Sequence, residues 1–582
     1  MSPTPVNSAP IHPPVDTEES DLRVSERKTS AAGAKAVAIS MKRSLAEQGV
    51  VKTAKNLLTM NQVDGFDCMS CAWPDPAPGE RHTAEFCENG AKAVSWEGDR
   101  RRVTPEFFAE HSIADLRDRS AHWLESQGRL THPMVRRAGG THYEPISWDD
   151  AFDLVGTHLR ALSSPDEALF YTSGRASNEA AFVYQLFARA YGTNNLPDCS
   201  NMCHESTSVG LAEAIGVGKG SVSLQDLHDA DLIVISGQNP GTNHPRMLSA
   251  LETAKKNGAR ILAVNPLPEA GLFKFDNPQT PRGMSGIGTH LADEFLQIRS
   301  NGDLALWQAF GHLLLAAEDR DPGSVLDRDF IERHTNGFEA YAAHVKDLDR
   351  DAVVAATGLT WGEIEKAAEM LATSKRIVNC WAMGITQHRH GTQNVQQIAN
   401  LLLMRGNFGR PGAGICPLRG HSNVQGDRTV GITELPKEDM PARLDARFGI
   451  ASPRKPGHSA VEALAAMASG DARALIALGG NLAVAMPDPQ ACFAAFRKLD
   501  LAVHILTKFN RSCLLPARET IILPCLGRTE LDMQAGGPQW VTVEDSMSMV
   551  HASRGRLKPA SDDLKSEPAI IAAMAKATRP AG

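Results

Sequence analysis

The chain has 582 residues, 42% hydrophobic and 22% charged, with a net charge of −8 and both signs interspersed. That length exceeds one ordinary core and calls for roughly three or four domains. The charge excludes a basic nucleic-acid-binding face, and the longest apolar stretches, such as Leu232-Ile-Val-Ile235, fall far short of the ~20 residues that cross a bilayer.

Met1 to about Ala32 is rich in Pro, Ser, Thr and charge and reads as a disordered tail. No apolar signal segment follows a basic start, and the Arg100-Arg101-Arg102 run lies too deep to serve as one, so a cytoplasmic location is expected. Ala34 to Met60 has the spacing of one amphipathic helix with a break near Gly49. Asp64 to Lys92 differs: three cysteines, three prolines and little periodicity describe a segment that folds around something else, such as a metal.

From about Pro145 strand and helix signals alternate. Apolar runs at Ala168–Thr172, Asp231–Ser236, Arg260–Asn265, Arg376–Cys380, Ala474–Leu478, Ala502–Leu506 and Thr520–Leu523 read as strands. Helical stretches include Asn178–Tyr191, closed by Gly192, and Gly362–Thr373. Runs buried on both faces with helical crossovers predict parallel sheets in α/β layers. Several strand ends lead into Gly/Asn loops: Ser236 to Pro245, Asn265-Pro266 and Gly479-Gly480-Asn481. In open α/β sheets ligands sit outside the carboxyl ends of strands, so these loops favour a long, nucleotide-like ligand.

Ten cysteines in so long a chain do not form a disulfide framework; closely spaced ones bind metal or act in redox chemistry. Cys68-Met-Ser-Cys71 can place two thiolates on one centre, and its spacing leaves structural zinc, an iron–sulfur cluster and unrelated thiols open. Downstream, Cys203-His204 can offer a soft thiolate to a metal beside a proton carrier. The Leu418-Arg-Gly-His-Ser-Asn-Val-Gln-Gly426 loop offers a fixed cation, amide donors and glycines that admit a bulky polar ligand. Together these features suggest a redox enzyme with a large anionic cofactor.

The runs Gly65 to Pro76 and Cys87 to Ala93 resemble the FdhF/YdeP type of molybdopterin oxidoreductase, relatives of the formate dehydrogenase H alpha subunit. The resemblance continues through Ser173–Ala180, Asp198–Glu205, Gly384–Gln387 and Val541–Ser546. It implies an α/β fold: a small N-terminal iron–sulfur subdomain followed by two layered, Rossmann-like parallel-sheet domains. The expected divisions are 1–60 (tail and helix), 61–112 (iron–sulfur subdomain), 113–199 with 421–582 (first α/β domain, discontinuous) and 200–420 (second). It also implies that a further β-rich, dinucleotide-covering domain, which in relatives follows about residue 600, is missing here.

Residue by residue, the resemblance implies a [4Fe–4S] cluster on Cys68, Cys71 and Cys87, with Asp75 where the family has its third cysteine. Three sulfurs plus Asp75, or a cluster with an open or lost iron, both satisfy that pattern. It makes Cys203 the molybdenum ligand, with Cys199 a nearby competitor. His204 becomes a proton carrier, and Arg419 the group that orients an anionic substrate or meets a salt-bridge or phosphate partner. Lys92 matches a lysine between cluster and pterin, or is simply solvated. The cofactor implied is molybdenum bis(molybdopterin guanine dinucleotide), with Asn239, Asn243, Asn265, Gln387, Asn423, Gln425 and Asn481 as contacts. The expected activity is two-electron chemistry on a small substrate, formate or another small anion, with electrons passed to the cluster and on to an unidentified partner. A non-catalytic iron–sulfur conduit or scaffold subunit that has lost the pterin is the competing reading.

Overall fold

The computed structural model describes residues 26–437, 439–515 and 517–579. The expected disordered tail lies outside the described residues up to position 25. Its last two positions are ordered: Ala31–Ala32 pair in parallel with Lys274–Asp276. Two large sheets carry the rest. One has five strands, all parallel, in the order Glu294–Leu296, Arg260–Val264, Leu232–Ser236, Ile377–Trp381, Gly414–Pro417. The strand order reverses between the first- and fourth-formed strands, as in doubly wound folds, where crevices open at such points. The expected Arg376–Cys380 strand is therefore shifted by one residue, and the two edge strands Glu294–Leu296 and Gly414–Pro417 are additional.

The second sheet has six strands in the order Glu144–Pro145, Met134–Arg136, Glu519–Pro524, Leu501–Leu506, Ala474–Leu478, Ala168–Thr172. Its last four are parallel and its first two antiparallel. Chain segments some 300 residues apart thus share one core, built by residues such as Phe170, Ile476, Val503 and Ile521 on one face. The helix Asn178–Tyr191 covers that face, capped at its start by the Ser177 side chain and ended by Gly192 in the left-handed region (φ 118°). The helix Glu567–Thr578 packs beside it and against Trp148–Ala161. No helix among the described residues is long and apolar enough to cross a membrane.

The N-terminal helix runs Gly33–Thr59 and kinks at Gly49 (φ 75°, ψ 177°), as its sequence predicts. Its polarity is inverted from an ordinary amphipathic helix: Ser40, Ser44, Gln48, Thr53 and Asn56 are buried while Val37, Met41, Leu45, Val50 and Val51 are exposed. The cause is the partner. The helix Glu88–Glu97 presents Ser95, which accepts from Gln48 (3.0 Å) and donates to Ser44 (2.8 Å). Asn56 in turn donates to Gln48. A polar seam thus replaces an apolar one.

Arg129 joins this N-terminal region to the six-stranded sheet. Its buried guanidinium donates to the carbonyls of Glu97 (2.8 Å), Thr507 and Cys525 (both 3.1 Å) and to the Glu530 carboxylate (2.8 Å).

Candidate active site

One cavity of about 1030 Å³ lies at the carboxyl ends of both sheets. Ser173 and Arg175 follow the strand Ala168–Thr172, and Gly479, Gly480 and Asn481 follow Ala474–Leu478. Thr507 and Lys508 follow Leu501–Leu506, and Cys525 to Arg528 leave Glu519–Pro524. The five-stranded sheet contributes Met383, Gly420 and His421 beyond its strands Ile377–Trp381 and Gly414–Pro417. Six parallel strands thus aim their ends at one space, the position where open α/β sheets bind ligands. Gly479 and Gly480 both have positive φ (71° and 79°), and a Cβ on either would come within 3.2 Å of Ser173 or Tyr171. Their bare backbone lines the wall.

Cys203 and Cys199 also line this cavity. Cys199 opens and Cys203 follows a short 3₁₀ turn, Cys199–Met202, whose N-cap Asp198 exchanges side-chain bonds with Asn201. Arg428 staples the turn from below, meeting Asp198 (3.1 Å), Glu205 (2.7 Å) and Glu434 (3.2 Å). From the five-stranded sheet, Thr386 donates to the Cys203 carbonyl (2.7 Å) and Gln387 to the Met202 carbonyl (2.7 Å). The Cys203 thiol is buried and its pKa is pushed up by that burial, with the Gly420 N–H and the Arg419 charge pulling the other way. Cys199 is already engaged: its sulfur accepts from the Gly174 N–H (3.0 Å) and meets His421 Nδ1 (3.4 Å).

The partners expected beside Cys203 are placed differently. His204 is fully buried and turned from the cavity. Its Nε2 meets the Leu418 carbonyl (2.9 Å) and its Nδ1 the Thr207 hydroxyl (3.0 Å), which also accepts from Trp381. That chain fits a neutral ring with Nε2–H donating and Nδ1 accepting, and burial holds the pKa well below the ordinary value. The structure therefore does not bring His204 to the cavity as a proton carrier. Arg419 is buried too, its Nη2 donating to the Gly218 carbonyl (2.8 Å) while Nε finds no partner. Burial lowers its pKa to about 10, and the neighbouring Cys203 thiol opposes that shift. It stands behind the thiol, off the cavity wall.

Of the amide candidates, only Asn481 lines the cavity, accepting from the Ser512 N–H and hydroxyl. Asn423 is consumed by the fold, donating to the Ala176 carbonyl, Asn178 and Asp427 and accepting from the Glu544 N–H. Gln425 donates to Glu544, the Asp545 carbonyl and Ser548. Asn265 bonds the Leu267 carbonyl and Glu269, and Asn239 bonds Thr242. Asn243 is exposed in the short helix Pro240–Asn243, and Gln387 serves the Cys203 turn. Lys92 does line the cavity, in an i,i+4 pair with Glu88 (2.5 Å).

Beyond Lys92 lie the cysteines. Cys87 caps the helix Glu88–Glu97, its sulfur accepting from the Gly90 N–H (3.3 Å). A Cβ on Gly90 would stand 3.1 Å from the Cys68 sulfur and 3.7 Å from that of Cys87, so both thiols flank that bare backbone. Burial raises all three thiol pKa values, Cys71 to about 12. Asp75 is directed elsewhere, to Arg246 (2.8 Å) and Arg81 (3.5 Å). Among the described residues no three His, Cys, Asp or Glu side chains converge on a single-ion site.

Sequence reasoning passed over the cavity's basic residues. Arg175, Lys508, Arg528 and Arg554 line it with Lys92. Lys508 lies over the Trp96 ring (4.5 Å), and Arg528 bonds Ser422 (3.0 Å) and the Arg175 carbonyl (2.7 Å). Their shared signal was available: Arg175 and Lys508 sit two or three residues past the apolar strand runs, where the strand-end rule looks.

A family model described as "Molybdopterin oxidoreductase" matches residues 129–515. An uncharacterized oxidoreductase of Mycobacterium tuberculosis is 54% identical over 562 residues, covering 97% of this chain and 72% of the relative. Protein YdeP of Escherichia coli K12 is 53% identical over 531 residues (90% of this chain, 69% of YdeP). A putative formate dehydrogenase of Staphylococcus aureus is 30% identical over 435 residues (72% of this chain, 42% of that one). Among solved structures, acetylene hydratase from Pelobacter acetylenicus shares the fold at a TM-score of 0.59 and 19% identity, over 77% of this chain and 61% of that one. The chain belongs to the molybdopterin oxidoreductase family. Membership implies a molybdenum–pterin cofactor and a small-molecule substrate. The cavity suits such a group: its lining includes a soft thiol, bare glycine backbone and five cationic side chains, Lys92, Arg175, Lys508, Arg528 and Arg554, set among five carboxylates.

Proposed function

We propose that the protein is a molybdenum-dependent oxidoreductase of formate-dehydrogenase-like type, acting by two-electron chemistry on formate or another small anion. In this reading Cys203 ligates the metal, and the strand-end loops hold molybdopterin guanine dinucleotide. The three cysteines beyond Lys92 bind an iron–sulfur cluster that relays electrons to a redox partner. When bound, the molybdenum centre would supply the two-electron change at the substrate. The chain's own residues do the rest. Arg428, Thr386 and Gln387 hold the Cys203 turn, Gly420 leaves room beside the thiol, and Arg419 provides positive charge that favours the thiolate. Arg175, Lys508 and Arg528 offer countercharge to diphosphates.

The observation that carries this reading is the Cys203 thiol lining a large cavity at six strand ends, which Lys92 also lines. The test is metal and nucleotide analysis of the purified protein, followed by Cys203→Ser. Molybdenum or tungsten with guanine nucleotide is expected in the wild type. The variant should keep fold and iron yet lose turnover and change the molybdenum(V) resonance, since a hard oxygen replaces a polarizable thiolate. A loaded Cys203→Ser protein with wild-type rate and resonance would refute the assignment and turn attention to Cys199. Iron without pterin would favour the conduit subunit.

A further inference from the structure

Asp75 stands where a ligand is expected, yet its surroundings are those of a counter-ion. Its Oδ1 lies 2.8 Å from Arg246 Nη2 and its Oδ2 3.5 Å from Arg81 Nη1, with the carboxylate side chain only 4% exposed. Arg246 is gripped a second time, by Glu85 Oε1 at 3.1 and 3.2 Å. Arg81 is fixed in turn, donating to the carbonyls of Pro76 (2.9 Å) and Asn61 (2.8 Å). Asn61 closes the circuit: its side chain accepts from the Cys68 N–H (2.9 Å) and donates to the Glu85 carbonyl (2.7 Å). The loop between Cys71 and Cys87 is thus organised around two guanidiniums and two carboxylates.

We propose that the iron–sulfur site is held by three thiolates, Cys68, Cys71 and Cys87, with no carboxylate in the fourth place, and that Asp75 anchors Arg246 as the cation beside them. This rests on the reading above that the site holds an iron–sulfur group. A buried anionic centre needs a nearby positive charge, and a guanidinium held by two carboxylates is fixed at little further cost in side-chain order. The Arg246 charge acts on both Cys71 and Cys87, while Asp75 acts on Arg246. The class of ligand that fits is a three-iron cluster, or a four-iron cluster whose last iron carries a non-protein ligand. Either form satisfies the proposal, and Mössbauer spectra of the ⁵⁷Fe-enriched full chain tell them apart.

The test is Asp75→Asn, with Cys87→Ser as the control for loss of a true ligand. Asp75→Asn is expected to keep the wild-type iron and acid-labile sulfide per chain and the same Mössbauer and electron paramagnetic resonance spectra, with a lower thermal midpoint because two arginines lose a partner. Cys87→Ser should lose iron or change both spectra. Arg246→Gln should keep its iron and shift the reduction potential to more negative values, because removing a nearby cation disfavours the reduced, more anionic cluster. Should Asp75→Asn fail to fold, Asp75→Glu keeps the charge: an added methylene displaces a ligating oxygen and alters the spectra, but leaves them unchanged if the carboxylate only pairs with arginine. Iron loss or altered spectra in an Asp75 variant of iron-loaded protein, or an unmoved potential in Arg246→Gln, would overturn the proposal. Wild-type protein without iron and sulfide would instead sink the cluster reading itself, and this inference with it.

Discussion

Replacing Arg428 by Met should loosen the turn that carries both cavity thiols without unfolding either sheet. The Arg428 side chain is 22% exposed and faces three carboxylates, of which Asp198 (1%) and Glu434 (7%) are buried and Glu205 (36%) is not. Removing one partner of a buried pair costs about 3–5 kcal/mol, because the remaining charge is stranded; the more exposed Glu205 pairing adds under ~1 kcal/mol. Burial already raises the Asp198 pKa to about 7, with Arg428 the leading opposing influence, so part of the loss is relieved by protonation. About 3 kcal/mol of local opening energy is therefore at stake, and each ~1.4 kcal/mol is tenfold in the opening equilibrium. Thiol labelling of the full chain, read by peptide mass spectrometry, should accelerate roughly 10²-fold at Cys199 and Cys203. Cys380 and Cys416, in paired strands of the five-stranded sheet, serve as internal controls and should label at the wild-type rate. Equal acceleration at all four, or none at Cys199 and Cys203, would refute the view that Arg428 holds this turn.

Two further changes probe the sheet and the cavity. His504 is buried in the strand Leu501–Leu506, stacked with Phe496, and burial lowers its pKa to about 4. Its folded pKa lies below the unfolded ~6.5, so its contribution is complete above pH ~6.5 and is lost as pH falls toward 4, about 3 kcal/mol in all. His504→Phe should remove that part of the acid sensitivity in denaturant titrations between pH 7 and 4; parallel wild-type and variant curves would contradict it. Gly420→Ala would add a Cβ whose nearest neighbour is the Cys203 sulfur at 3.9 Å. Its thermal midpoint should barely move while molybdenum content falls; full metal loading would show that the space beside the thiol is not used.

Much of the fold was legible because the central strands are buried on both faces and so appear as short branched apolar runs. Ala168–Thr172 and Ala474–Leu478 fall where the sequence puts them. The edges were not legible. Gly414–Pro417 and Glu144–Pro145 carry glycine or proline, and each is a strand only because a neighbour supplies the ladder. The inverted N-terminal helix fails for a related reason: a helix pattern shows which side is apolar, whereas which side is buried depends on the partner, here Ser95.

The site divides along the same line. The Gly479-Gly480-Asn481 loop could be located because strand ends obey a topological rule, and a topological rule survives ignorance of side-chain direction, whereas Cys203, which follows a 3₁₀ turn, was marked by its motif alone. Side-chain direction is what keeps His204, Arg419 and the other amide candidates off the cavity wall, which Lys92 does line. His204 is adjacent to Cys203, but it sits at the start of the helix Glu205–Ile215, where the next side chain turns to another face, and its ring is spent on Leu418 and Thr207. Asn423 and Gln425 lie in or beside the short helix Val424–Thr429 and bond Glu544 and its neighbours rather than the cavity. An amide far from any charge is worth about as much to the fold as to a ligand, so sequence alone cannot assign it. A basic residue at a strand end is a better marker, because water solvates it fully elsewhere and the fold gains least by keeping it at a cavity. Arg175, exposed at the cavity, meets that condition, which makes it a better candidate for anion contact than the amides that spacing alone would choose; Lys508 also serves the fold, pairing with Asp99 (3.2 Å) and donating to the Glu125 carbonyl (2.9 Å).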